Sequence, residues 1–247
     1  MGGSIYDSAS SYDGLRLATA GADGRILISS VQDGATVGEL NGHRTVVTSL
    51  SWSDDWLASS SRDGGIRIWQ MSTMTEERRL IGHVDEVYRV ALTPGGRNAA
   101  TASRDGEARI WDCGTGNVRR ALVGHRSGVC NLSWDPGYRR LATSGADGQV
   151  LIWDAASGTL LRTIAFSKDP VWGLSWNHDG SAVLAGDMRG RLSLWSVSGA
   201  ATVPRWTISL NSDVRAISCA SGGDDFVVGD ALGRVRRVDG SSDLSGV

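Results

Sequence analysis

Tryptophan returns at a fixed interval in this chain: Trp69, Trp111, Trp153 and Trp195 are each 42 residues apart. Gly64, Gly106, Gly148 and Gly190 keep the same step, as do Asp63, Asp105 and Asp147. His43, His83 and His125 follow at spacings of 40 and 42. Several residue types holding one period mark an array of one repeated supersecondary unit, which buries its apolar surface against its neighbours in the array.

The clearest copy opens with Gly82-His83 and closes with Trp111-Asp112. A period in the low forties bounded by Gly-His and Trp-Asp marks a propeller blade of four short strands. On these residues the chain resembles the WD-repeat proteins, over roughly residues 4 to 240 and most closely in the three middle repeats. The resemblance implies an all-β fold, a β-propeller with six visible blades of four antiparallel strands each. It leaves the particular job open, because one fold hosts many functions.

We expect a single propeller domain over residues 1–247, with repeats at about 4–40, 43–80, 83–122, 125–164, 169–210 and 213–247. In the third repeat the strands are expected at Val87 to Leu92, Asn98 to Ala102, Glu107 to Trp111 and Val118 to Leu122, with Gly-, Asp- and Pro-rich turns between them. No 3.6-residue apolar period is present, which predicts essentially no helix. The first strand of each blade is expected to be buried on both faces and the fourth to be the most polar; VRRALV and EERRLI fit the latter. The ends are irregular. Only three residues precede the first inner strand, and the last repeat ends in SSDLSGV, a poor outer strand. Three readings stand: a ring closed bluntly by six blades, a piece of a longer protein, or a partner that supplies the missing strand or blade. A closed ring predicts a monomer; open strand edges predict association with a partner or with itself.

The net charge of −2 provides no bulk field toward nucleic acid or anionic lipid. The arginines are scattered over turns and outer strands, which favours a solvated surface over a nucleic-acid groove. Three cysteines, Cys113, Cys130 and Cys219, with no Cys-x-x-Cys pair, argue against a disulfide framework and for a reducing, cytoplasmic or nuclear compartment. No stretch reads as a membrane span or a secretion signal. No metal or cofactor motif is present, and His178 in the turn NHDG reads as solvated.

Ser or Thr, His and Asp recur together as His43, Ser59 and Asp63, as His83, Thr101 and Asp105, and as His125, Thr143 and Asp147. Such sets invite comparison with a hydrolase triad. In WD-repeat propellers the same residues, with Trp69, Trp111 and Trp153, form a hydrogen-bonded tetrad that fastens each blade. A set that appears three times, each with its own tryptophan, is expected to be that fastening. The first, fifth and sixth repeats lack Gly-His, and Ser29 and Val238 replace tryptophan; those blades are expected to be the softest.

The resemblance also implies a working surface. In this family the narrower top face often grips peptides, using the start of each first strand and the residue before the tight-turn aspartate. Carried onto this chain, those positions are Tyr6 and Ala22 in the first repeat, Val46, Thr48 and Arg62 in the second, and Glu86, Tyr88 and Arg104 in the third. They continue as Gly128, Cys130 and Ala146, then Pro170, Trp172 and Met188, then Asp213 and Arg215. The aromatics and arginines in this set are the residue types that dominate binding energy, and Glu86 and Asp213 are expected to select a basic side chain. The expected function is a non-catalytic platform that binds other proteins or peptide motifs. The alternatives are a coat- or pore-type scaffold completed in trans, a sensor module of a larger protein and, from another class, a propeller-based hydrolase.

Overall fold

The computed structural model describes residues 4–199, 203–220 and 225–240. By its internal contacts the chain divides into two compact units, residues 1–121 and 122–247.

The first unit holds three blades. Blade 1 is β1 (Ile5–Ser10), β2 (Arg16–Gly21), β3 (Ile26–Ser30) and β4 (Thr36–Leu40). Blade 2 is β5 (Val47–Ser53), β6 (Trp56–Ser61), β7 (Ile66–Gln70) and β8 (Thr75–Leu80). Blade 3 is β9 (Val87–Leu92), β10 (Asn98–Ser103), β11 (Glu107–Asp112) and β12 (Val118–Val123), the last lying across the unit boundary. The second unit holds the rest. Blade 4 is β13 (Val129–Trp134), β14 (Arg140–Gly145), β15 (Gln149–Asp154) and β16 (Leu160–Ala165). Blade 5 is β17 (Val171–Trp176), β18 (Ala182–Asp187), β19 (Arg191–Ser196) and β20 (Trp206–Ser209). Blade 6 has β21 (Val214–Cys219), β22 (Asp225–Asp230) and β23 (Val235–Asp239); the segment SSDLSGV, read from the sequence as a poor outer strand, lies outside the described residues.

Each sheet is an antiparallel meander in chain order, and a single 3₁₀ turn at Pro94–Gly96 is the one helical segment among the described residues. The fold is a WD-type β-propeller of six blades. The strands expected in the third repeat match those observed to within a residue at each end. No helix of the described residues is long and apolar enough to cross a membrane.

Burial differs from the sequence expectation in one respect. In blades 2–5 the second strand is more completely buried than the first: β18 is buried at every position, and β6, β10 and β14 at all but their first. The first strand is an edge of its sheet, so half-buried residues such as Thr48, Tyr88 and Trp172 reach its open side. The second strand has a strand on either side. The outer strands of blades 1–4 are largely exposed instead, each burying one apolar residue near its end: Leu40, Leu80, Leu122 and Ile164.

The cores lie between adjacent blades, because a four-stranded sheet cannot bury its apolar face on itself. In the first unit, Ala18, Ile26 and Ile28 of blade 1 meet Val47, Leu57 and Trp69 of blade 2. Ile66, Ile68 and Leu80 of blade 2 meet Val90, Ala99 and Trp111 of blade 3. In the second unit, Val150 and Ile152 of blade 4 meet Leu174, Val183 and Trp195 of blade 5, and Leu184 and Leu192 meet Phe226 and Val238 of blade 6. First strands are also stitched across the gap by side chains. Leu50 N–H donates to Asp7 Oδ2 at 2.9 Å, Leu92 N–H to Ser51 Oγ at 2.9 Å, and Cys219 N–H to Ser175 Oγ at 3.2 Å.

Candidate functional site

The recurring His, Ser/Thr, Asp and Trp residues come together in blades 2, 3 and 4. His43 Nε2 lies 2.7 Å from Ser59 Oγ and its Nδ1 3.4 Å from Asp63; Trp69 Nε1 donates to Ser59 Oγ at 2.8 Å. In blade 3, His83 lies 2.8 Å from Thr101 Oγ1 and 2.7 Å from Asp105, and Trp111 Nε1 donates to Thr101 Oγ1 at 2.8 Å. In blade 4 the corresponding distances are 2.9 Å from His125 to Thr143, 3.1 Å to Asp147, and 2.9 Å from Trp153 to Thr143. The direction of donation follows from the inventory of protons. An indole can only donate, so the hydroxyl accepts from it; a carboxylate can only accept, so Nδ1 carries the ring N–H that faces the aspartate and Nε2 accepts a hydrogen bond from the hydroxyl. Each aspartate also closes its turn by accepting a backbone N–H: Gly65 at 2.8 Å, Glu107 at 3.0 Å and Gln149 at 3.1 Å.

This geometry cannot serve nucleophilic catalysis. Ser59, Thr101 and Thr143 are fully buried, and the three histidine side chains have no exposed surface. Each hydroxyl is already engaged by an indole where an acyl group would have to approach.

The tetrads tie stability to pH. Burial holds His83 and His125 below histidine's ordinary 6.5, against partial compensation from Asp105 and Asp147. In the unfolded chain these rings take up protons as pH falls past about 6.5, while the folded rings stay neutral, so acid favours unfolding. The carboxyls add to this at lower pH. Burial opposes ionisation of Asp105, but hydrogen bonds from His83 and the Glu107 N–H outweigh it and place its folded pKa below the ordinary 3.8. Asp147 is likewise shifted down, with burial outweighed by the Arg126 N–H and the His125 ring. The unfolding midpoint is therefore expected to fall steadily from about pH 7 to about pH 4, beginning near the histidine range. Denaturant melts that coincide across this range would contradict the assignment.

Blade 5 keeps the tryptophan but not its partners. Ala185 stands where Thr143 stands one repeat earlier, Ser167 replaces His125 and Arg189 replaces Asp147. Trp195 Nε1 is consequently buried with no hydrogen-bond partner among the described residues. Ala185→Ser returns an acceptor at that register, and the midpoint of thermal unfolding is expected to rise, corresponding to about 0.5–1.5 kcal/mol. An unchanged or lower midpoint would count against the shared register. In blades 1 and 6, Ser29 and Val238 occupy the tryptophan register opposite Leu17 and Phe226.

Above the tetrads lies the rim where the first strands begin. One backbone hydrogen bond recurs in all six blades and joins this rim to the turn between the second and third strands. Ala22, Arg62, Arg104, Ala146, Met188 and Ala231 donate N–H to the carbonyls of Ser4, Val46, Glu86, Gly128, Pro170 and Asp213, at 2.9–3.1 Å. In blades 2–5 the bonded residues are the paired positions named from the sequence; in blade 1 the partner of Ala22 is Ser4 and not Tyr6, and in blade 6 the partner of Asp213 is Ala231 and not Arg215.

In the first unit four of the candidate side chains form a continuous set. The Arg62 guanidinium lies over the Tyr6 ring, 5.6 Å from its centroid, and its Nε is 3.9 Å from Glu86. Arg104 reaches Glu86 and Asp85, both at 3.8 Å. Glu86 is therefore bracketed by two arginines and does not stand as a free acid. Tyr88 is half-buried at the second position of β9. Thr48 is turned into hydrogen bonds with Ser60 Oγ and the Val87 carbonyl, so it serves blade contact more than the surface.

In the second unit Met188, Pro170 and Asp213 line one shallow depression of about 700 Å³. Arg215 pairs with Asp213 at 2.9 Å. Trp172 is half-buried, and its carbonyl accepts from Asn131 Nδ2. Cys130 offers no surface: it is 2 % exposed and burial pushes its thiol up to about 12.

Sequence reasoning missed the aspartates of the last two repeats. Asp187 and Asp230 sit two positions earlier than the turn aspartates of blades 2–4, yet do the same work. Asp187 accepts the N–H groups of Arg189 and Arg191 at 2.9 Å and the Ser167 hydroxyl at 2.7 Å; Asp230 accepts Leu232 and Arg234 N–H at 2.9 and 3.0 Å. The signal was present as DMRG and DALG in place of Asp-Gly. Equally unread was the Asp7–Arg89 pair at 3.1 Å, which joins blades 1 and 3.

Comparison with known proteins agrees with this architecture. A family model described as the IFT122 first beta-propeller matches residues 4–243. Coronin-7 of Rattus norvegicus is 41 % identical over 100 residues, which cover 36 % of this chain and 11 % of that protein. The anaphase-promoting complex subunit cdh1 of Dictyostelium discoideum is 31 % identical over 90 residues, or 36 % of this chain and 12 % of its own length. The chain thus matches only a small part of each of these relatives. The solved structure of U3-55K superposes with a TM-score of 0.85 at 20 % identity, covering 96 % of this chain and 77 % of that one, a likeness of fold. The chain belongs to the WD-repeat β-propellers, in the family of the IFT122 first beta-propeller.

Proposed function

We propose that this protein is a non-catalytic interaction platform, a single propeller domain whose rim grips peptide segments of partner proteins. The working surface is Tyr6, Arg62, Glu86, Tyr88 and Arg104 in the first three repeats. The Tyr6–Arg62–Glu86–Arg104 set carries this reading. Its side chains come from three consecutive blades and remain 47 %, 45 %, 27 % and 58 % exposed, yet each already leans on the next. Aromatic and arginine groups held in place before binding lose little freedom when a ligand arrives. The ion pairs at 3.8–3.9 Å are loose enough for an incoming acidic or carbonyl group to take either arginine from Glu86. Met188 and Asp213 offer a second, shallower contact in the later repeats. The name of the cdh1 relative, a subunit of a larger complex, accords with assembly as the theme.

The test is a panel of fluorescently labelled peptides titrated into the protein and followed by polarisation. Binders are expected to lose about tenfold in affinity with Arg62→Ala and with Arg104→Ala, while the unfolding midpoint stays in place. A panel without binders, or binders indifferent to both substitutions, would overturn the proposal.

A further inference from the structure

At the strand ends opposite the rim, the first unit contains a cavity of about 380 Å³ between blades 2 and 3. Its apolar wall is Trp56, Ile68 and Cys113. Ile68 and Cys113 belong to the core between the two blades, while Trp56 packs against that core and stays half-buried. The cavity depends on the turn before β10. Gly95 and Gly96 both adopt positive φ, and a Cβ on Gly96 would sit 2.6 Å from the Trp56 ring. Cys113 contributes surface and not reactivity, since burial pushes its thiol up to about 12.

The polar wall is unbalanced. Arg119 is already paired with Asp112. Arg78 and Arg97 also line the cavity, and neither makes a side-chain hydrogen bond or ion pair among the described residues. The Nε of Arg78 is buried with no acceptor. Buried donors are nearly always satisfied, so an orphaned guanidinium N–H in a cavity wall marks where an acceptor belongs. Glu77 is the remaining acid of the lining, which leaves one uncompensated positive charge beside an apolar floor.

We infer that this cavity is a second binding site, for an extended segment of a partner protein that places an aspartate or glutamate next to an aliphatic side chain. The carboxylate meets Arg78 and Arg97, a guanidinium pair suited to carboxylate oxygens. The aliphatic group covers Trp56 and Ile68. The site is independent of the rim, so either can fail without the other.

The test uses the ¹⁵N-labelled chain and the indole N–H signal of Trp56, assigned by Trp56→Phe. The probe is the blocked peptide acetyl-Leu-Asp-Leu-amide, with acetyl-Leu-Asn-Leu-amide as its neutral twin. The aspartyl peptide is expected to shift the Trp56 signal saturably, and the asparaginyl peptide to bind about tenfold more weakly. Arg97→Ala, at an exposed position, and Arg78→Met, which keeps the length of the stem, are each expected to produce a similar loss, whereas Arg62→Ala on the rim leaves binding unchanged. An unmoved Trp56 signal, equal binding of the two peptides, or insensitivity to Arg97→Ala would overturn the inference. So would a shift of Trp56 by an RNA oligonucleotide or by inositol phosphate where the aspartyl peptide produces none.

Discussion

Trp111→Ala is expected to lower the free energy of unfolding by about 3–5 kcal/mol. The ring is fully buried and lies in the core between blades 2 and 3, against Ile66, Ile68 and Leu80. Its removal opens a cavity that backbone on both sides cannot close, because each sheet is held by its own hydrogen bonds. The loss also takes away the donor that Thr101 Oγ1 receives at 2.8 Å, at the centre of the blade 3 tetrad. Trp111→Phe is the milder variant. It keeps a six-membered aromatic ring, loses the fused five-membered ring with its N–H, and is expected to cost about 1–3 kcal/mol. Chemical denaturation measures both; a cost below about 1 kcal/mol for Trp111→Ala would mean that the tryptophan does not fasten the blades.

Gly148→Ala is expected to be nearly as damaging, at about 3 kcal/mol or more. Gly148 has φ +74°, where an L side chain costs about 1–2 kcal/mol by itself. An added Cβ would also stand 2.1 Å from the Ser167 carbonyl oxygen. That oxygen is backbone, and the same segment is fixed by Phe166 and Ser167 N–H groups donating to the Gly148 carbonyl. Nothing flexible lies there to yield. Gly34→Ala is the control: its φ of +72° is the same within a few degrees, and nothing lies within 4 Å of the added Cβ. Thermal unfolding of the two variants is expected to separate by the steric part alone, and equal losses would show that the Ser167 contact is immaterial.

Much of this architecture could be read from the 42-residue step, for a physical reason. Each blade is a local meander, so strand order, turn positions and the residues around His83 are fixed by contacts within one repeat. Substitution of one member was less legible. Asp187 supplies the turn cap from a different position, and only the backbone shows that its carboxylate reaches the same N–H groups. Burial of Cys130 was hidden because alternation along an edge strand does not say which side meets a neighbouring sheet. The Arg78 cavity was hidden altogether: its walls come from two blades, and their relative placement is set by sheet packing that no period within a repeat encodes. The Tyr6–Arg62–Glu86–Arg104 set falls between these cases. The positions follow from the repeat, but the pairing of Glu86 with two arginines follows from blade-to-blade geometry.

Hydrogen–deuterium exchange with and without a peptide selected by binding tests the platform reading most directly. The predicted result is protection confined to the starts of β1, β5 and β9 and to the turns at residues 22–25, 62–65 and 104–106. A bound peptide that leaves those segments exchanging as in the free protein, or that protects only segments away from this rim, would contradict it.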